Sequence, residues 1–399
     1  MKFNTVKLGE YLYIKGRIGW KGLKKKEYLE KSGFRIVNGE SLTENGIDWN
    51  KAGYISKERY DESPEIMLQQ DDILISKDGT IGKIGYVDSL DTPTTVASGI
   101  FVIRNQMPEI INTRFIYHFF NSKYFKNFII MRTEGSVIPH LYQKDFVDLD
   151  FPMPELRVQD KIVGILDAIN NKIKLNKSIN NNLLEQALTM FSTQFAALDR
   201  NGCIGDYCSV KSGFAFKSSW WTTNGVKVIK IGSINQDNLN LSECSYVDED
   251  KVDKAKDFKV IAGDLLIAMT GATIGKFAMV PYSSDTLLVN QRVGKFFLGN
   301  NPVEKLPFIY CTLKQPDVYY EIVNRGQGSA QPNISASDIM SISCVIPSKE
   351  AINKFNKTLQ PLFDLIISNQ RENQQLSTLR DSLLPKLMSG ELDVSDIDI

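Results

Sequence analysis

Two stretches of the chain repeat apolar positions at alternating spacings of four and three. In the first, Ile162, Leu166, Ile169, Ile173, Asn176, Asn180, Leu183 and Ala187 mark one face. In the second the face is Phe355, Leu359, Leu362, Ile366, Asn369, Asn373, Leu376 and Arg380. This is the heptad seam of a helix that packs along another helix. The pattern predicts helices over about 156–196 and 349–388, each opening just after a proline, Pro154 and Pro347, that suits the end of a strand but not a helix interior. Elsewhere the apolar runs are short. Ile73-Leu74-Ile75, Ile84-Gly85-Tyr86-Val87 and Ile100-Phe101-Val102-Ile103 are bounded by Gly, Asp and Ser, which reads as strands joined by turns. A helix is expected from Thr113 to about Phe125, where Phe115, Ile116, Phe119 and Phe120 share a face.

Every one of these features occurs twice. Asp72-Ile73-Leu74-Ile75 matches Asp264-Leu265-Leu266-Ile267 at an offset of 192 residues, and Gly79-Thr80-Ile81-Gly82-Lys83 returns as Gly271-Ala272-Thr273-Ile274-Gly275-Lys276. Phe115-Ile116-Tyr117 matches Phe308-Ile309-Tyr310 at an offset of 193, as do Gly135-Ser136 and Gly328-Ser329, Pro139 and Pro332, and all eight seam pairs. Solenoid repeats run only about 20 to 50 residues, so so long a period means a duplicated domain. The expected fold class is α+β: two homologous strand-rich domains separated by two long helices, with internal pseudo-twofold symmetry. The boundaries are 1–154, helix 155–198, 199–347, helix 348–390 and an acidic tail 391–399.

The seam asparagines bear on how the helices pair. Asn176 and Asn369 fall near the midpoints of the two predicted helices, so antiparallel packing brings them together, and Asn180 and Asn373 follow one turn later. Asparagine in an apolar seam fixes register and orientation at some cost in stability. The expectation is an antiparallel coiled coil of two helices, each about 60 Å long, with the globular parts at its opposite ends.

Composition narrows the class without fixing it. At 399 residues, 42% hydrophobic and 24% charged, the chain has material for two cores. Five cysteines, none in a CxxC pair, and two histidines, His118 and His140, argue against a metal site or a disulfide framework. His118 reads as a packing residue of its aromatic helix. No signal core or run of about 18 apolar residues is evident, which makes the cytoplasm the expected address, with no membrane association. Net charge is zero. The segment from Lys15 to Arg35 is nevertheless basic, with Lys15, Arg17, Lys21, Lys24, Lys25, Lys26, Lys31 and Arg35 against Glu27 and Glu30, and Trp20 and Tyr28 interleaved.

Catalytic equipment is not visible. The glycine turns lack the G-x-x-x-x-G-K-[ST] spacing of a phosphate-binding loop, since Gly271 and Gly275 leave three intervening residues and Phe277 follows Lys276. There is no His-Glu-x-x-His, no G-x-G-x-x-G after a strand, and no Asn-Pro-Pro-aromatic tetrapeptide of the kind amino-methyltransferases use. A nucleotide-dependent enzyme built on the Gly-Lys turns and a scaffold for two protein ligands are the alternatives from other classes.

The run Leu379-Arg380-Asp381-Ser382-Leu383-Leu384-Pro385-Lys386-Leu387-Met388-Ser389-Gly390-Glu391-Leu392 closely resembles the closing segment of specificity (S) subunits of Type I restriction-modification enzymes. The Thr-Ile-Gly-Lys turns, Gly328-Ser329-Ala330-Gln331-Pro332-Asn333-Ile334 and Ser212-Gly213-Phe214-Ala215-Phe216-Lys217 resemble that family too. The resemblance covers essentially the whole chain. It implies a non-catalytic reader of double-stranded DNA, with two target-recognition domains that each read half of a split, asymmetric site and two helices that set the spacer. The implied partners are two methyltransferase (M) subunits and, in the full complex, two restriction/translocase (R) subunits. No cofactor is expected in this chain; S-adenosylmethionine, and ATP with Mg, would belong to the partners.

The resemblance places base and phosphate contacts in exposed loops. The candidates in the first domain are Arg17, Trp20, Lys21, Lys77, Thr80, Lys83, Ser136 and His140. In the second they are Lys217, Thr273, Lys276, Gln291, Arg292, Gln331 and Asn333. Arg grips guanine and Asn or Gln grips adenine in the major groove, whereas Lys and hydroxyl groups more often hold phosphates. Because the Gly-Thr-Ile-Gly-Lys turn occurs in both copies, it reads equally well as a fold-forming turn. Positions that differ between copies, such as His140 against Asn333, are the better candidates for specificity.

Overall fold

A computed structural model describes residues 3–18, 22–43, 46–133, 140–327, 332–395 and 397. Two compact units emerge, residues 1–170 with 377–399 and residues 171–376, so each long helix contributes a part to both. The helices run Leu156–Phe195 and Lys349–Ser389.

The first unit is organised by an antiparallel sheet in the order Leu12–Gly16, Ile100–Asn105, Ile73–Ser76, Ile84–Tyr86. Successive side chains of a strand point to opposite faces. Ile73, Ile75, Phe101 and Ile103 therefore enter a core with the helices around Phe115 and Phe119 and with Ile162, Leu166, Leu384 and Leu387 of the long helices. Leu74, Ile100 and Val102 enter a second, smaller core with Val37, Ile66 and Val96. Burial on both faces explains why these strands are written as unbroken apolar runs instead of alternating ones.

The second unit repeats the arrangement. Its sheet order is Ser209–Ser212, Val293–Phe297, Leu265–Ala268, Phe277–Met279. Leu265, Ile267 and Phe296 face the large core with Phe308, Phe355, Leu359 and Phe363, while Leu266, Ala278 and Val293 face the smaller one. In both units a further sheet contains one parallel pair, Arg35–Val37 with Thr94–Val96 and Val226–Ile229 with Leu287–Val289. Asp72 and Asp264 occupy one matched position, both buried. Each carboxylate accepts a backbone N–H three residues back, from Gln69 at 2.7 Å and Ile261 at 2.8 Å. Burial pushes both carboxyls up, against the pull of Arg104 in one unit and Lys295 in the other.

Two expectations are corrected. The helix expected from Thr113 to Phe125 is two helices, Thr113–Phe120 and Lys123–Thr133. The Asn121 side chain donates back to Tyr117 O at 2.8 Å and Ser122 Oγ accepts Phe125 N–H at 3.3 Å, a local competition that ends one helix and starts the next. In the second unit Pro316 makes the same break between Leu306–Leu313 and Pro316–Gly326. The second correction concerns register. Asn176 donates to Asn373 Oδ1 at 3.0 Å and to Glu372 at 2.6 Å, and Asn369 donates to Asn180 Oδ1 at 2.8 Å. Within the second unit the helices are thus antiparallel, with the asparagine pairs being 176–373 and 180–369 instead of 176–369. Arg380 meets Asn170 in the first unit with the same sense.

Candidate nucleic-acid interface

The glycine turn of each unit is closed largely by short-range hydrogen bonds, with the Ser76 hydroxyl taking part in the first. In the first, Ser76 Oγ donates to Thr80 O at 2.6 Å and accepts Lys83 N–H at 2.9 Å, and Gly82 N–H donates to Ser76 O at 2.9 Å. In the second, Gly275 N–H donates to Ala268 O, Lys276 N–H to Thr273 O and Gly271 N–H to Pro332 O. Matched glycines take left-handed φ values, 67° at Gly79 and 70° at Gly271, 85° at Gly82 and 82° at Gly275, which side chains with a Cβ disfavour. A Cβ on Gly82 would also lie 2.9 Å from Ile129 Cδ1. These N–H groups are spent on the turn's own carbonyls, on Ser76 Oγ and, for Gly271, on Pro332 O, so they do not form a phosphate cradle of the nucleotide-binding kind. The glycines form the fold.

What the turn does is lace three segments together. Lys77 N–H donates to Gly99 O at 2.8 Å and Lys77 O accepts Leu141 N–H at 3.1 Å. The second unit repeats this with Met269, which donates to Arg292 O and accepts from Ile334 N–H, both at 3.0 Å. Every one of these bonds is backbone to backbone, so the geometry is the same while the side chains differ. The first unit gathers Lys77, Asp78, Thr80 and His140, with His140 paired to Asp78 and its ring 4.5 Å from that of Tyr142. Lys77 lies 4.9 Å over Phe101, and Lys83 Nζ reaches Gly39 O at 3.4 Å. The second unit gathers Gln291, Arg292 and Asn333, all exposed, with Thr273 and Lys276 half-buried on the turn. Thr270 bridges to Asn333.

Not every candidate belongs to this gathering. Arg17 is 2% exposed; its guanidinium donates to Val96 O at 3.1 Å and lies near Ser63 and Thr95. A duplex has no access to it, and it is withdrawn as a contact residue. Trp20, Lys21, Ser136 and Gln331 lie outside the described residues. Lys217 is exposed, 5.8 Å from the ring of Trp220, in a segment tied to the loop of Gln291 and Arg292 by Gln291 N–H donating to Phe214 O at 2.9 Å. Around that ring are residues the sequence reading missed: Lys251 at 5.8 Å and Lys254 at 5.3 Å, with Lys230 3.6 Å over the neighbouring Trp221. Of this cluster, the sequence singled out Lys217 alone. No spacing rule joins Trp220 to Lys251 and Lys254, 31 and 34 positions on.

Among the described residues there is no group of three or more side chains that could hold a metal ion, and no helix is long and apolar enough to cross a membrane. The five cysteines are free thiols, four of them buried.

A profile described as the Type I restriction modification DNA specificity domain matches the chain twice, over residues 2–185 and 200–378. The Type I restriction enzyme MjaVIII specificity subunit of Methanocaldococcus jannaschii is 22% identical over 361 residues, which cover 84% of this chain and 82% of that protein. The MjaIX specificity subunit of the same organism is 27% identical over 344 residues, covering 79% and 76%. A crystal structure of the S subunit of a Type-I restriction-modification system from M. genitalium shares the fold across 98% of this chain and 97% of that one, with a TM-score of 0.53 at 16% identity.

Proposed function

Starting from the fact that the chain belongs to the Type I restriction modification DNA specificity family, a family of non-catalytic DNA-recognition subunits, we propose that each unit reads one half of an asymmetric, bipartite duplex site. The observation that carries this reading is the twofold lacing of the readout segments. One backbone geometry displays Asp78 and His140 in the first unit and Arg292 and Asn333 in the second. Two displays of different chemistry on one frame are what two different half-sites require. Arg292 and Asn333 supply the bidentate forks suited to guanine and adenine, and Lys77, Lys83 and Lys276 supply phosphate contacts.

In this reading the paired helices set the unread spacer between half-sites, as a rigid separator fixes half-site distance in other DNA readers. Two methyltransferase subunits and, for cleavage, two restriction/translocase subunits provide the chemistry, and they hold S-adenosylmethionine, ATP and Mg. The complex works in the cytoplasm.

The test is methylome sequencing of a host that expresses the chain together with its methyltransferase subunit. A single bipartite, asymmetric methylated motif is expected. A continuous motif, or no new methylation from an assembled complex, overturns the proposal.

A further inference from the structure

Three lysine ammonium groups converge on one indole ring in the second unit. Lys217, Lys251 and Lys254 lie 5.3 to 5.8 Å from the centroid of Trp220. Each gains from the ring's negative face, but like charges gathered in one place repel. Asp250 pairs with Lys251. Lys217 and Lys254 are exposed, and among the described residues neither pairs with a carboxylate. Asp253 and Asp257 flank Lys254 and Lys256, and Asp248 and Glu249 precede them, so position against the ring, and not net charge, singles out Lys254.

The ring is held firmly. Trp220 stacks on Phe214 at 6.0 Å and 14°, and Phe214 meets Phe258 at 5.4 Å, above a small core of Phe216, Val228 and Leu288. Phe214 is in turn fixed to the readout segment. Its N–H donates to Val289 O at 2.8 Å and its carbonyl accepts Gln291 N–H at 2.9 Å. Gly213 permits this approach, since a Cβ there would lie 2.3 Å from Val289 O. The platform is therefore continuous with Gln291 and Arg292, and its two free cations are in place before anything binds.

We propose that Trp220, Lys217 and Lys254 form a clamp for the sugar-phosphate backbone of duplex DNA beside the half-site read by the second unit; this rests on the DNA-reading proposal above. An ammonium is a point charge without the planar fork that reads a base edge, which suits a phosphate. An aromatic ring beside the ammonium groups limits the side-chain freedom lost on binding. The clamp contributes affinity common to all sequences and leaves the choice of bases to Arg292 and Asn333.

The experiment measures affinity against salt for the chain assembled with its methyltransferase subunit, on a duplex carrying the methylated motif and on one without it. In Lys217→Ala/Lys254→Ala the slope of log K against log salt becomes shallower by about two. Affinity for both duplexes falls by the same factor, and the methylated motif is unchanged. Lys217→Arg/Lys254→Arg restores the slope. An unchanged slope, or a changed motif, overturns the clamp while leaving the DNA-reading proposal standing. Failure of the wild-type assembly to bind duplex at any salt concentration overturns both.

Discussion

His118 shows how far one residue can be read. The sequence assigns it to packing, and its ring is 2% exposed beside Tyr117. It does not reveal Asp167, 49 positions on, whose Oδ1 lies 2.8 Å from His118 Nε2 and which also takes the Arg114 fork. Burial lowers the His118 pKa below the usual 6.5, outweighing the pull of Asp167. Asp167 is raised by burial but brought down overall by its bonds to His118 and Arg114. With a depressed folded-state pKa, the neutral ring's contribution to stability is complete above about pH 6.5 and is lost as pH falls below it; the Asp167 contribution goes only below about pH 4. Thermal unfolding followed from pH 7 to pH 5 should show a falling Tm in the wild type and a flatter profile in His118→Gln. A variant that keeps the full wild-type slope contradicts this assignment. Arg17 teaches the converse: a basic run announces charge, but nothing in it says which arginine turns inward to a carbonyl such as Val96 O.

Among the elements, the helices were the most legible and their register the least. The heptad identifies which face of Leu156–Phe195 and Lys349–Ser389 is apolar, and Ile162, Leu166, Phe355 and Leu359 are buried accordingly. It does not fix the axial stagger, because a slide of one turn presents an equivalent apolar seam. Polar partners decide it, and Glu372, which takes both the Asn176 amide and Lys172, was not part of the seam. The 180–369 pair gives a direct check. Asn180→Leu alone strands the Asn369 amide and should cost about 1 to 3 kcal/mol. Asn180→Leu with Asn369→Leu should recover most of that loss or exceed wild-type stability. Thermal unfolding of the three variants closes the cycle; a double variant less stable than either single one refutes the pairing. The missed break at Asn121 and Ser122 has a similar origin. Phe119, Phe120 and Phe125 all reach one core, so the apolar pattern runs on across the turn as if no helix had ended.

For the molecule as a whole, the duplication was legible because matched landmarks keep an offset of 192 or 193 residues. The side chains that distinguish the copies carry no such signal; placement alone shows which of them gather. Replacing residues 1–150 with the matching domain of another family member should change one half of the methylated motif and leave the other half and the spacer as they are. Methylation mapping of the chimera with its partner decides this: changes in both halves, or in spacer length, would show that the readers are not independent. The lacing at Lys77 and Met269 has a consequence for ancestry. Its bonds join main-chain atoms alone, so replacing the side chains at 77, 78 and 140, or at 292 and 333, breaks none of them. Surface changes of that kind usually move stability by no more than about 0.5 kcal/mol. Under the proposed reading, a lineage can therefore change its target by single substitutions without rebuilding the frame that carries them.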